Sequence, residues 1–152
     1  MASLGRYSST DTAVVRAHVA APLLIGPDTE SAQWVSGAAR ALDCPWLVLE
    51  KDRSGDRSVR VRGHIDPVHR DRAPVLLDDM IATGRTLIEG CRLLAEAGMR
   101  APLVLAVHGI FAGDAYEALL AAGAGRIVTT NSIPHASNAI DLAPLLAGAW
   151  AG

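Results

Sequence analysis

A chain of 152 residues, 50% of them apolar, is long enough for one domain with a sizeable core; with only 4% aromatics and mostly Ala, Leu and Val, it suits helices packed on a buried sheet. The formal charge of −2 and a pI near 6.2 exclude the bulk positive footprint of a duplex-binding protein, so no nucleic-acid partner is expected. No stretch reaches the roughly 20 uninterrupted apolar residues of a membrane span, and the opening MASLGRYSSTD lacks the apolar core of a signal peptide, which gives the expectation of a cytoplasmic protein with no membrane partner.

Residues 1–19 open on a polar segment without period and read as a tail or an artificial junction, leaving 20–152 as the domain. PLLIG (22–26) is a short continuous apolar run, the pattern of a strand covered on both faces. DTESAQWVSGAARAL (28–42) then offers Asp28 and Thr29 as caps, Glu30 in a first turn, and Ala32, Val35, Ala38, Ala39 and Leu42 at helical spacing. PWLVLE (45–50) is the next strand. Residues 51–72 hold seven of the 14 basic side chains and read as a mobile basic loop with one weak strand, VRVRG, inside it.

PVLLDD (74–79) is again a strand, followed by a helix over 86–99 whose Leu87, Gly90, Cys91 and Leu94 face inward. A strand over 102–110, a helix over 112–123, a strand over 126–130, a turn, a short apolar AIDL and a last helix complete the chain. Regular alternation predicts an α/β fold with a mainly parallel sheet, helices on both faces and right-handed crossovers. Ligands in such sheets bind beyond the carboxyl ends of the strands, which directs attention to residues 26–29, 51–55, 78–86 and 108–112. Cys44 and Cys91 have no metal-ligand or redox spacing and read as two buried free thiols.

The segment LLDDMIATGRT carries the most chemistry. Asp78 and Asp79 are adjacent, repel each other, and call for a hydroxyl, an amide or a divalent cation as partner; vicinal sugar hydroxyls meet that need. Ala82, Thr83, Gly84, Arg85 and Thr86 follow as a turn into a helix N-terminus, where free N–H groups and the dipole favour a phosphate and Gly84 admits close approach. Together these describe a pentose 5-phosphate site, although either feature alone also reads as a solvated strand end or a helix cap. No Walker loop and no G-x-G-x-x-G occurs. His108 ends a strand beside this crevice and reads as a hydrogen-bonded structural histidine rather than a ligand. The three tryptophans read as core or interface residues.

With VLLDDMIATGRT on the page, the chain resembles the type I phosphoribosyltransferase fold at its phosphoribosyl pyrophosphate signature. LLIGPDTES, LEKDRSGD, VHGIFAGDAYEALLAAGAGRIVTTNSIPH and IDLAPLLA narrow the resemblance to the C-terminal half of the ribose-phosphate pyrophosphokinase family over residues 20–150. That resemblance implies diphosphate transfer from Mg-ATP to ribose 5-phosphate. In it Lys51 and Arg53 are catalytic, Asp28 binds Mg²⁺, Asp78 and Asp79 hold the ribose hydroxyls, and residues 82–86 bind the 5-phosphate. Ribose 5-phosphate and ATP are the implied ligands, a homo-oligomer is implied, and the family's N-terminal half, with most of its ATP contacts, is not represented here.

Two positions depart from the family pattern: Ala82 stands where a third acid is usual, and Arg85 where glycine is commoner. Asp52 likewise replaces a residue that is often basic. For Asp28 a helix N-cap is the competing assignment, and for Lys51 and Arg53 a solvated charged loop. Two other functions remain open at this point: a phosphoribosyltransferase consuming phosphoribosyl diphosphate, and a non-catalytic sugar-phosphate-binding regulatory module.

Overall fold

The computed structural model describes residues 12–52 and 60–150. Residues 12–18 form a helix, α1, with Val15 buried, so the polar segment expected to end at residue 19 gives way to packed structure by residue 12. The core elements then follow as β1 (Pro22–Gly26), α2 (Ala32–Leu42), β2 (Trp46–Val48), β3 (Glu50–Asp52), β4 (Arg60–Arg62), β5 (Ala73–Ile81), α3 (Arg85–Glu96), β6 (Leu103–Gly109), α4 (Ala115–Ala121), β7 (Arg126–Thr130), β8 (Asn138–Ile140) and α5 (Ala143–Trp150).

Six strands form one parallel sheet in the order β2-β1-β5-β6-β7-β8. β3 and β4 pair antiparallel in a separate ribbon, with Lys51 opposite Val61. The apolar runs that predicted strands alternate between two cores. Leu23 and Ile25 of β1 and Leu76 of β5 pack with Leu87, Cys91 and Leu94 of α3 and Leu119 of α4. Leu24 of β1 and Val75 and Leu77 of β5 pack with Val15 of α1 and Val35, Ala38 and Ala39 of α2. Period-two alternation in strands buried on both faces thus puts helices on both sides of the sheet. Full burial of each Leu, Ile or Val contributes about 1.5–3 kcal/mol.

β1 turns outward through α2 to β2, whereas β5 runs through α3 to β6 on the other side. The two central strands β1 and β5 are therefore neighbours whose connections diverge, and a crevice opens beyond their carboxyl ends. That is where the acid pair and its turn are delivered.

Several expectations change in detail. The helix expected from residue 28 begins with a 3-10 turn over Thr29–Ser31, and α2 proper starts at Ala32. β5 does not end at Asp79 but continues to Ile81, because Met80 and Ile81 still pair with His108 and Gly109 of β6. The basic segment contributes an ordered ribbon whose Val61 packs against the α3-side core. Cys91 is buried as expected, while Cys44 is only half-buried; both are free thiols.

Candidate functional site

Asp28 stands just beyond β1 in extended backbone conformation, and its carboxylate works in two directions. Oδ1 accepts the Ser31 N–H at 3.2 Å, capping the 3-10 turn, while Oδ2 receives Lys51 Nζ at 2.9 Å. The cap assignment is therefore right for one oxygen and leaves the other facing the cleft. Lys51 reaches this point because the chain leaving β2 passes the end of β1, where the Leu49 N–H donates to the Gly26 carbonyl at 2.9 Å, and then turns into the β3–β4 ribbon. Its catalytic companion in the sequence reading, Arg53, lies outside the described residues.

β5 carries Asp78 and Asp79 at its carboxyl end. Strand alternation places Asp78 on the α3 side with Leu76 and Asp79 on the opposite side. The Asp79 N–H donates to Asp78 Oδ1 at 2.9 Å. Burial pushes the Asp78 carboxyl up from its ordinary 3.8 to about 7; the Asp79 side chain, by hydrogen bond and by charge, and the charge of Asp28 push the same way, while the Asp79 N–H bond opposes them. Lys51 is committed to Asp28, so among the described residues no cationic side chain is bonded to the acid pair.

The turn follows at Ala82 and Thr83, both exposed, and Gly84, which is buried. Gly84 sits at φ +69°, ψ +4°, a left-handed conformation that side chains resist, and α3 starts directly after it with no side chain capping its amides. The first-turn N–H groups are thus left without a side-chain cap, on residues that line the cleft. Arg85 occupies the first helical position, where a cation opposes the positive end of the helix dipole and an anionic ligand would compensate it.

These residues meet. Asp28, Lys51, Asp78, Asp79, Ala82, Thr83, Gly84, Arg85 and Thr86 line one cleft of about 250 Å³, joined by Met80 and Leu87. Nine of the ten positions predicted from sequence thus share a single cleft, the tenth being Arg53. Met80 was missed. The sequence shows only an apolar residue after two carboxylates; the pairing with β6 reveals that the strand continues that far, and there Met80 is 44% exposed. A second cleft of about 320 Å³ adjoins it, lined by Asp28, Thr29, Glu30, Glu50 and Lys51, so the Lys51–Asp28 pair stands between the two. His108 does not line the acid cleft; its Nδ1 lies 2.8 Å from Ser132 Oγ, as a hydrogen-bonded histidine should.

Among the described residues no three His, Cys, Asp or Glu side chains are placed to cage a metal ion. Mg²⁺ binding does not require such a cage, since that ion commonly takes one or two carboxylates and completes its shell with water and substrate phosphates. The Asp28 carboxylate, 20% exposed and paired through Oδ2 with Lys51, stands beside an acid pair whose mutual repulsion a divalent cation would relieve, and fits that donor set once Lys51 moves aside.

The phosphoribosyl transferase domain family model matches residues 16–135. The chain belongs to that family. It is 32% identical over 130 residues to the ribose-phosphate pyrophosphokinase of Sulfurisphaera tokodaii, covering 83% of this chain and 45% of that protein. The structure overlays on phosphoribosylpyrophosphate synthetase from Mycobacterium smegmatis with a TM-score of 0.75 and 25% identity, over 93% of this chain and 48% of that one. An adenine phosphoribosyl transferase from Trypanosoma brucei shares the fold at a TM-score of 0.64 and 16% identity, over 96% of this chain and 76% of the other. The chain spans about half the length of the pyrophosphokinases it matches, over their C-terminal half. The expected α/β phosphoribosyltransferase-type fold is thereby established. No helix among the described residues is long and apolar enough to cross a membrane.

Proposed function

We propose that this chain supplies the ribose 5-phosphate site of a ribose-phosphate pyrophosphokinase, which transfers diphosphate from Mg-ATP to the anomeric hydroxyl of the sugar and yields 5-phosphoribosyl diphosphate and AMP. The observation that carries the reading is the convergence of the Asp78–Asp79 pair and the 82–86 turn in one cleft at the divergence of β1 and β5. The 5-phosphate takes the amides and hydroxyls of the turn with Arg85 beside it, and the ribose diol donates to the two carboxylates. The anomeric carbon then faces the Lys51–Asp28 pair and the second cleft.

In the transfer the sugar hydroxyl oxygen bonds to the β-phosphorus, the bond to AMP breaks, and the hydroxyl proton is released. Such chemistry asks for positioning and cations rather than a covalent nucleophile. Lys51, with Arg53 two residues on, supplies positive charge to the transferring group. Mg²⁺ bound at Asp28 would supply charge neutralisation of the ATP phosphates. The second cleft carries Glu30 and Glu50 as well as Asp28, so a bare triphosphate would be repelled there, which is consistent with a cation-borne substrate. ATP contacts beyond these, and assembly into a homo-oligomer, are part of the same proposal.

A second reading, a sugar-phosphate-binding module without turnover, is favoured by one feature, Ala82 in the turn where the family pattern has a third acid. Calorimetry with ribose 5-phosphate, run with an AMP-release assay on the same sample, tests both. Binding is expected. AMP formation by this chain, alone or supplemented with the N-terminal half of a relative, would establish the pyrophosphokinase, and binding without AMP in either arrangement would favour the module. Absence of ribose 5-phosphate binding would remove the assignment of the cleft.

A further inference from the structure

The turn that receives the phosphate is held from behind. Ile110 and Phe111 both donate their N–H groups to the Ile81 carbonyl at 3.0 Å, and the Ala112 N–H donates to the Ala82 carbonyl at 2.9 Å. All three donors belong to the segment between β6 and α4, so a stretch remote in sequence fixes the two residues at which β5 becomes the turn. Phe111 adopts φ +50°, a left-handed conformation that a bulky residue keeps only when its surroundings hold it there.

What holds it is aromatic. The Phe111 ring lies 4.3 Å from the His135 ring at 35° and 5.2 Å from the Tyr116 ring at 86°, and Tyr116 and His135 close the triangle at 4.9 Å. His135 is fixed in turn, because its Nδ1 accepts the Ser137 N–H at 3.1 Å and lies 2.8 Å from Ser137 Oγ. Gly109 makes room for the arrangement; a Cβ there would fall 2.6 Å from Phe111 Cε2 and 2.9 Å from Thr129 Cγ2. α4, which carries Tyr116, also carries buried Leu119, whose Cδ1 lies 3.4 Å from the Cβ position of Gly84. The same helix therefore supports the turn and the clasp behind it.

We propose that Phe111, Tyr116 and His135 are positioning residues that lock residues 110–112 against Ile81 and Ala82 and so hold the 82–86 turn in its phosphate-receiving form. This inference rests on the ribose 5-phosphate reading for its ligand, though not for its geometry. None of the three rings lines the cleft. They act through the backbone.

The test compares the affinity for ribose 5-phosphate of the full chain with that of Phe111→Ala, Phe111→Gly, Tyr116→Ala and Tyr116→Phe, alongside Val128→Ala as a core variant on the α2 side of the sheet. Phe111→Ala and Phe111→Gly are each expected to weaken binding about tenfold, the glycine variant showing that backbone freedom alone does not replace the ring. Tyr116→Ala is expected to lose severalfold and Tyr116→Phe to retain wild-type affinity. Val128→Ala should lower the melting temperature without changing affinity. Equal affinity in all variants, or an affinity loss in Val128→Ala that matches its loss of stability as in Phe111→Ala, would overturn the proposal. Amide hydrogen exchange on the ligand-free chain adds a second arm. Exchange at residues 110–112 should accelerate in Phe111→Ala while β7 amides keep their protection; unchanged exchange overturns the clasp. Should the wild-type chain bind no ribose 5-phosphate, the cleft assignment fails, and the exchange arm still decides whether the clasp exists.

Discussion

At Asp78 the cost of the site is visible in one side chain. Its carboxyl is raised from 3.8 to about 7, first by burial and then by Asp79 and Asp28, so between those values the folded chain binds a proton that the unfolded chain does not. Stability relative to an unperturbed residue is therefore full below about pH 4, falls as pH rises through that window, and is lost above about 7. Asp78→Asn removes the group that titrates. It should raise the melting temperature at pH 8 by at least about 3 °C, on a scale of about 2–4 °C per kcal/mol for a chain of this size, with no gain near pH 4. A pH-independent gain in thermal melts would contradict this. The same substitution should abolish measurable ribose 5-phosphate binding, because a neutral amide cannot serve the diol as an ionised acceptor pair does. Lys51 separates stability from function in the other sense. Its pair with Asp28 is 33% and 20% exposed on the two sides, and such pairs contribute at most about 1 kcal/mol. Lys51→Ala should barely shift thermal unfolding, yet lower kcat about 10²–10³-fold in an assembly competent for transfer. Equal kcat in the two proteins would remove Lys51 from the transferring group.

At the scale of elements, the join between β5 and α3 decides how the proposed phosphate would be met. Gly84 holds φ +69°, which costs an L-residue about 1–2 kcal/mol, whereas the Cβ of an alanine would meet Leu119 at an ordinary 3.4 Å. The penalty is conformational rather than steric. Gly84→Ala should lose about that much stability in chemical denaturation and Gly84→Asn distinctly less, because asparagine tolerates the left-handed region; equal losses would point to crowding instead. The turn was legible in the sequence because glycine between threonine and a helix start has few other uses. β1 was legible to the residue, since PLLIG is apolar throughout and bounded by Pro27. The end of β5 was not: two carboxylates argue for solvent, but β6 extends as far and keeps pairing through Ile81. α1 was hidden because it is short and mostly exposed: of its residues only Thr12 and Val15 are buried, too few to set a helical period. The Lys51–Asp28 pair spans 23 residues and the Phe111 clasp depends on a positive φ in a non-glycine residue, so neither leaves a local pattern to read.

Across the whole molecule, charge is divided between two regions with different tasks. Seven of the 14 basic residues fall within residues 51–72, while the net charge of the chain is −2, so the remainder is distinctly acidic. The cleft repeats that division: its turn offers backbone amides, which would hold the proposed phosphate directionally and at short range, whereas Lys51 offers exposed charge. Exposed charges lose their reach as the Debye length falls from about 10 Å at 0.1 M salt to 3 Å at 1 M, while hydrogen bonds to amides at a helix start are shielded far less. Two anions should therefore respond differently to salt. Diphosphate, which the proposed function directs to the Lys51 side, should weaken severalfold more than ribose 5-phosphate when both are titrated calorimetrically across that range. Lys51→Ala should flatten the salt dependence of diphosphate and leave that of ribose 5-phosphate as it was. Parallel salt slopes for the two ligands would mean that a single electrostatic field holds both, and the separation of the site into an amide cradle and a cationic arm would be wrong.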